Sequence, residues 1–246
     1  MSIPVGIQLF SVRDNMEKDP EGTLRAIAGM GYTAVEPCNG SYGMDPKDFR
    51  ALCDELGLKV ICAHLSSYDL NEKTEETLEL YKALGVSYLA IAGFWGDCVY
   101  GGKDYPAMME KLRRSAEYFK ENGIQILYHN HDGEFKPNKD GLIAHEEMQK
   151  RTDVDFEIDT YWAFAAGRDP IQVITDLKDR VHVIHLKDGD RIKVGYPLGD
   201  GEAPVAAIRE KAIELGMMMV VESENLKPDG ISEVTRCFDY LMSLEK

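Results

Sequence analysis

Cysteine is sparse and unpaired in this 246-residue chain: Cys38, Cys53, Cys62, Cys98 and Cys237 are odd in number, and no two form a C-x-x-C pair. Neither a disulfide framework nor a cysteine zinc cluster is suggested, and a reduced cytoplasmic setting is expected. Basic residues are short as well, 28 Lys and Arg against 43 Asp and Glu, for a formal net charge of −15. Nucleic acid and anionic lipid are bound largely through Lys and Arg, so both are excluded as expected partners, and solubility is the plain reading of the acidity. No apolar run approaches the ~18 residues of a membrane span. The opening residues Met1-Ser2-Ile3-Pro4-Val5-Gly6 lack a basic region leading into an apolar one, so neither membrane insertion nor secretion is expected. No G-x-G-x-x-G follows any strand-like run, which leaves an open doubly wound sheet with a dinucleotide site unsupported.

Repetition is what the chain does have. A glycine after a helical pattern and before an apolar run recurs at Gly31, Gly57, Gly85, Gly123 and Gly216, where the residue closing a helix commonly turns left-handed. Helix starts are marked at Asp45-Pro46, Tyr105-Pro106 and Asp169-Pro170, and Thr74 reads as a capped start. Eight apolar runs, near 5–10, 34–38, 60–65, 88–93, 125–131, 155–160, 181–187 and 217–222, alternate with helical stretches near 21–30, 46–56, 74–84, 106–121, 142–150, 170–178, 203–215 and 231–244. Apolar strands separated by helices imply a parallel sheet covered by helices. Eight units of about 31 residues predict an α/β fold, a (β/α)8 TIM barrel spanning 1–246 as a single domain.

In such a barrel, chemistry is built at the C-terminal strand ends. Here those ends carry Gln8, Glu36, His64, Phe94 with Trp95, His129 with His131, Asp159, His185 with Lys187, and Glu222 with Glu224. One such residue reads as a helix cap, but burying so many titratable groups without function would cost several kcal/mol of desolvation. Asp159, His185 and Glu222 close three consecutive strands ~4.8 Å apart, close enough to converge on one point. Mixed nitrogen and oxygen ligation suits a divalent ion such as Mn²⁺, Mg²⁺, Co²⁺ or Zn²⁺. A fourth ligand must come from the 125–131 run. There His129 and His131 face the same side, and Glu134 in the following loop could fold back over the ion. The 187–202 segment, with glycines at 189, 195, 199 and 201, reads as a mobile lid.

These residues resemble the sugar phosphate isomerase/epimerase family of xylose-isomerase-like barrels over essentially the whole chain. The resemblance is carried by Gly6-Ile7-Gln8-Leu9-Phe10-Ser11-Val12-Arg13, Tyr128-His129-Asn130-His131 with Glu134-Phe135, and Glu157-Ile158-Asp159-Thr160-Tyr161-Trp162 leading to Ala166-Gly167-Arg168-Asp169-Pro170. His185-Leu186-Lys187-Asp188 and Val220-Val221-Glu222 complete it. The resemblance implies a metal held by a carboxylate from the fifth strand and by Asp159, His185 and Glu222. Many relatives place Glu where His129 stands, so either His129 binds the ion or Glu134, which we favour, restores the carboxylate.

The resemblance further implies a metal-dependent sugar isomerase or epimerase that abstracts a proton next to a carbonyl through an enediolate. Loss of a β-substituent would make the same site a dehydratase or lyase. Glu222 would be the base and Glu134 or His131 the group on the other face. Lys187 would hold a substrate oxyanion, while Gln8, Glu36 and His64 would bind sugar hydroxyls. Trp95 and Trp162, with Phe94 and Tyr161, would stack on a sugar ring or else be plain core. A DNA endonuclease would need more histidines and a basic groove, and a non-catalytic sugar-binding barrel would have no reason to keep the base. The expected partner is a small sugar; self-association into a homo-oligomer is left open.

Overall fold

The computed structural model describes residues 4–94 and 96–245. Nine parallel segments form the main sheet: β1 (Gly6–Gln8), β2 (Ala34–Glu36), β3 (Lys59–Val60), β4 (Cys62–Leu65), β5 (Tyr88–Ile91), β6 (Gln125–His129), β7 (Asp155–Asp159), β8 (Val181–Leu186) and β9 (Met218–Val221). Their spatial order is β3-β2-β1-β9-β8-β7-β6-β5-β4. Because β3 and β4 are one strand interrupted at Ile61, that order runs round a nearly closed barrel, and a parallel bridge between Cys38 and His64 spans the seam. The predicted eight-strand barrel is therefore present, with its third strand split.

Helices cover the outside at the predicted places, among them Pro20–Met30, Tyr105–Glu121 and Gly230–Ser243. All five junction glycines take positive φ, between 69° at Gly216 and 111° at Gly31, which explains why the motif recurs. Asp45 and Asp169 cap the helices that open with Pro46 and Pro170, each accepting a backbone N–H two residues on. Thr74 does not cap: its hydroxyl donates to the Leu70 carbonyl of a preceding short helix, Ser67–Glu72, that the periodicity does not reveal. No described helix is long and apolar enough to cross a membrane, and all five cysteines are free thiols.

The large core lies between sheet and helices. A second, smaller cluster of Cys62, Ala90, Leu127, Val183 and Val220 fills the lower barrel interior, as inward positions of a barrel must. Successive inward residues are two apart, so the next layer up holds His64, His129 and His185 on three of those strands and Glu222 just past the end of β9. Outside the barrel, His145 is wedged between Phe135 and Phe156, with ring centroids at 4.5 and 4.8 Å.

Candidate active site

Register assembles the site. Asp159 on β7 lies beside His185 on β8, and His129 on β6 lies beside Glu157 on β7. His129, Asp159, His185 and Glu222 are all buried, and one ligand atom from each lies within 4.8 Å of the others. Of the two candidates for the fourth ligand, the structure brings His129 to this group. Glu134 is held elsewhere, accepting from the Tyr128 hydroxyl at 2.9 Å and the His131 N–H at 3.0 Å.

Asp159 is fixed on both sides. Its backbone exchanges two 3.1 Å hydrogen bonds with the Asn130 side chain, and its Oδ1 accepts the Trp162 N–H at 2.8 Å, capping the helix Thr160–Ala165. Its Oδ2 is buried with no hydrogen-bond partner, the nearest cation being Lys187 Nζ at 4.0 Å. Burial pushes the Asp159 pKa up to about 7, against the pull of Lys187. Such an orphaned oxygen, inside a His₂–carboxylate₂ set within ligating range, fits a divalent cation.

Glu222 Oε2 lies 3.2 Å from Lys187 Nζ and 3.4 Å from His185 Nδ1. Burial opposes its charge, yet Lys187 and His185 hold its pKa well below the ordinary range. Lys187 is itself buried, 2.5 Å from Glu224 Oε2 and 4.8 Å from the centre of the Trp162 ring. Glu224 sits in a loop tied down by the Glu233 carboxylate, which accepts from the Ser223 hydroxyl and from the Asn225 and Lys227 N–H groups.

Below this group lies a layer whose key member sequence reasoning missed. Glu157 Oε2 is 2.5 Å from His64 Nε2, 3.0 Å from His129 Nδ1 and 3.4 Å from His185 Nε2. Glu36 Oε2 meets His185 Nε2 at 3.1 Å, and its Oε1 accepts from Gln8 at 3.0 Å. Burial works against ionisation of Glu157, but His185 and His64 hold it charged, with a pKa well below normal. At His185 burial opposes the cation, and Glu157 with Glu36 overrides it to raise the pKa. His129 goes the other way, with burial lowering it to about 3. The signal for Glu157 was its spacing: it stands two residues before Asp159 and so points the same way.

The remaining expected residues divide. His131 packs between His129 and Trp162, with ring centroids at 5.1 and 5.8 Å. Phe94 is buried against Tyr105 and Tyr128, and Tyr161 is fully buried with its hydroxyl donating to the Asp190 carbonyl at 3.0 Å, so both are core. Trp162 stays partly exposed. Trp95 lies outside the described residues. In the segment read as a mobile lid, Asp188–Gly189 pairs antiparallel with Gly195–Tyr196. Its base is pinned by Asp188, whose carboxylate accepts the N–H groups of Gly189, Gly199, Gly201 and Ala203. It is a tied hairpin.

A nearly closed parallel barrel with a His and carboxylate cluster at the C-terminal strand ends defines a class of protein, and sequence comparison gives the family. The chain belongs to the xylose isomerase-like TIM barrel family, whose model matches residues 24–240. It is 22% identical over 187 residues to an inosose dehydratase of Geobacillus kaustophilus, covering 67% of this chain and 60% of the relative. It is 26% identical over 181 residues to an inosose dehydratase of Lacticaseibacillus casei, covering 64% of this chain and 59% of the relative. The chain thus spans about 60% of the length of these curated relatives. A sugar phosphate isomerase/epimerase from Parabacteroides distasonis has the same fold, with a TM-score of 0.82 at 26% identity over 98% of this chain and 93% of that one.

Proposed function

We propose that this protein is a metal-dependent enzyme that moves a proton on the carbon next to the carbonyl of a keto-sugar or similar polyhydroxy ketone, as an isomerase or epimerase. The observation that carries the reading is the buried set His129, Asp159, His185 and Glu222, with Lys187 against its Glu222 edge. Bound there, a divalent ion would polarise a carbonyl or vicinal hydroxyl oxygen, lowering the barrier by several kcal/mol. The chain's own residues do the rest. Glu222, held ionised, is in the charge state of a base. Lys187 keeps its 2.5 Å contact with Glu224 while its charge turns from Glu222 to a substrate oxygen anion, and that turn frees Glu222 to take the proton. His131, whose pKa burial lowers, is neutral and receives or returns a proton on the opposite face. Trp162 lies beside both Lys187 and His131 and offers a ring face that excludes water.

A second reading, dehydration of a ketocyclitol or keto-sugar by loss of a β-hydroxyl, is favoured by the inosose dehydratases among the relatives. It uses the same first proton transfer. The test is metal analysis of anaerobically purified protein followed by NMR in D₂O with ketoses, keto-glycosides and inososes. Solvent deuterium next to a carbonyl is expected, and Glu222→Gln should slow its appearance about 10²–10⁴-fold. Retention of substrate carbon-bound oxygen indicates isomerisation or epimerisation, and release of water indicates dehydration. Full activity in excess chelator would overturn the metal reading. No exchange, no bound metal and sugar binding unchanged in Glu222→Gln would identify a non-catalytic barrel.

A further inference from the structure

Glu36, Gln8 and His64 stand at strand ends where sugar hydroxyls would be met, but the structure puts Glu36 and Gln8 at 1% exposure or less, beneath the candidate ligands. Glu157 lies in the same layer, fully buried, roughly 6.6 Å below Asp159 along β7. None of these three reaches the rim, so each faces only its protein neighbours. For the two carboxylates the main neighbours are imidazoles. His185 meets Glu36 and Glu157 through Nε2 and Glu222 through Nδ1. His129 meets Glu157 through Nδ1, which leaves Nε2 as its other donor atom.

We infer that Glu157 and Glu36 are positioning residues: they anchor the lower nitrogen of His129 and of His185, fixing ring orientation and tautomer so that the upper nitrogen is presented to the ion. A ring nitrogen that donates to a carboxylate leaves its opposite nitrogen with a lone pair, the form a metal ligand requires. One carboxylate oxygen of Glu157 serves both histidines and His64 besides, so the three rings are set against a common point. The Gln8 amide holds the far oxygen of Glu36 and the Cys62 thiol approaches the far oxygen of Glu157 at 3.5 Å, so each anchor is itself oriented.

The same layer also presents a rival use. His64, His129, Glu157 and His185 bring ligand atoms within 4.8 Å of one another, and a second ion in that set would make Glu157 a ligand instead of a support.

The inference rests on the metal reading above, and the experiment separates the two. Zn²⁺ is titrated into the full chain and into Glu157→Gln, with folding checked by circular dichroism, and the histidine nitrogens are followed by ¹H–¹⁵N NMR with and without Zn²⁺. One equivalent is expected in both proteins, with affinity about 10–100-fold weaker in the variant. The Zn²⁺-loaded wild-type spectra should show His185 carrying its proton on Nε2 and His129 on Nδ1, and these states should mix in the variant. Unchanged affinity with unchanged tautomers overturns the positioning role. A second equivalent in the wild type that Glu157→Gln loses also overturns it, in favour of the two-ion arrangement. A fixed Nδ1–H tautomer at His129 in a wild-type protein that takes up no Zn²⁺ would support the anchoring and sink the metal reading alone.

Discussion

Cys62, Ala90, Leu127, Val183 and Val220 plug the lower barrel with apolar side chains. Two residues further along from four of these stand His64, His129, His185 and Glu222. The lower layer is held by the hydrophobic effect and needs no orientation beyond packing. The upper holds groups whose desolvation is unfavourable unless each meets a partner of opposite charge or a hydrogen bond. It is built as a lattice of acid–imidazole contacts around Glu157 and Glu36, with one oxygen, Asp159 Oδ2, left over. The contrast teaches that one layer exists to make the barrel fold and the other persists despite its cost to folding.

Substitutions in the two layers should therefore separate function from stability. Asp159→Asn should weaken Zn²⁺ or Mn²⁺ binding about a thousandfold, ~4 kcal/mol, while the metal-free variant melts at the wild-type temperature or above. Calorimetric titration and thermal melts check both halves, and a variant that melts well below wild type would break the contrast. Leu127→Ala in the lower layer should do the reverse. A cavity there should cost about 3 kcal/mol of stability in urea unfolding, with metal affinity within about threefold of wild type. The smallest effect sharpens the comparison from outside the barrel. His145 has no carboxylate partner, and burial, aided by Arg168 and Arg180, lowers its pKa to about 3. Its folded pKa lies below the 6.5 of an unfolded histidine, so the unfolded chain takes up the proton first. Stability from the neutral form is full above pH 6.5 and lost as the pH falls towards 3. By pH 5 wild type should have lost about 2 kcal/mol more than His145→Gln, measured by urea unfolding at pH 7 and 5. Equal losses would show that the ring is not held neutral.

The fold was legible because its punctuation is local. A glycine must end each of five helices in a left-handed turn, and Asp-Pro opens the helices at Pro46 and Pro170, so neither needs knowledge of tertiary contacts. Asp159, His185 and Glu222 were legible as candidates because barrel geometry sends strand ends to one rim. Glu157 was passed over because a charged residue inside an apolar run does not read as part of a site unless its two-residue spacing from Asp159 is taken as a shared direction. Glu134 could not be placed for a different reason. Where a loop carboxylate points depends on the turn Gly133–Phe135 and on the Tyr128 hydroxyl that claims it, and neither is encoded by spacing. The split at Ile61 is likewise a property of the closed sheet, invisible where Val60, Ile61, Cys62 and Ala63 follow one another without a break.

Asp188 follows Lys187 directly and gathers four backbone N–H groups onto its carboxylate. A single side chain thereby gathers the root of the hairpin, while the tip, where Ile192 is 82% exposed, is fastened separately, Lys193 to the Asp132 carboxylate and Arg191 to the Phe164 carbonyl. The hairpin is therefore held at both ends, and a change of length between them would have to break one of these ties. A side chain such as that of Ile192, facing solvent between the ties, can change without touching either.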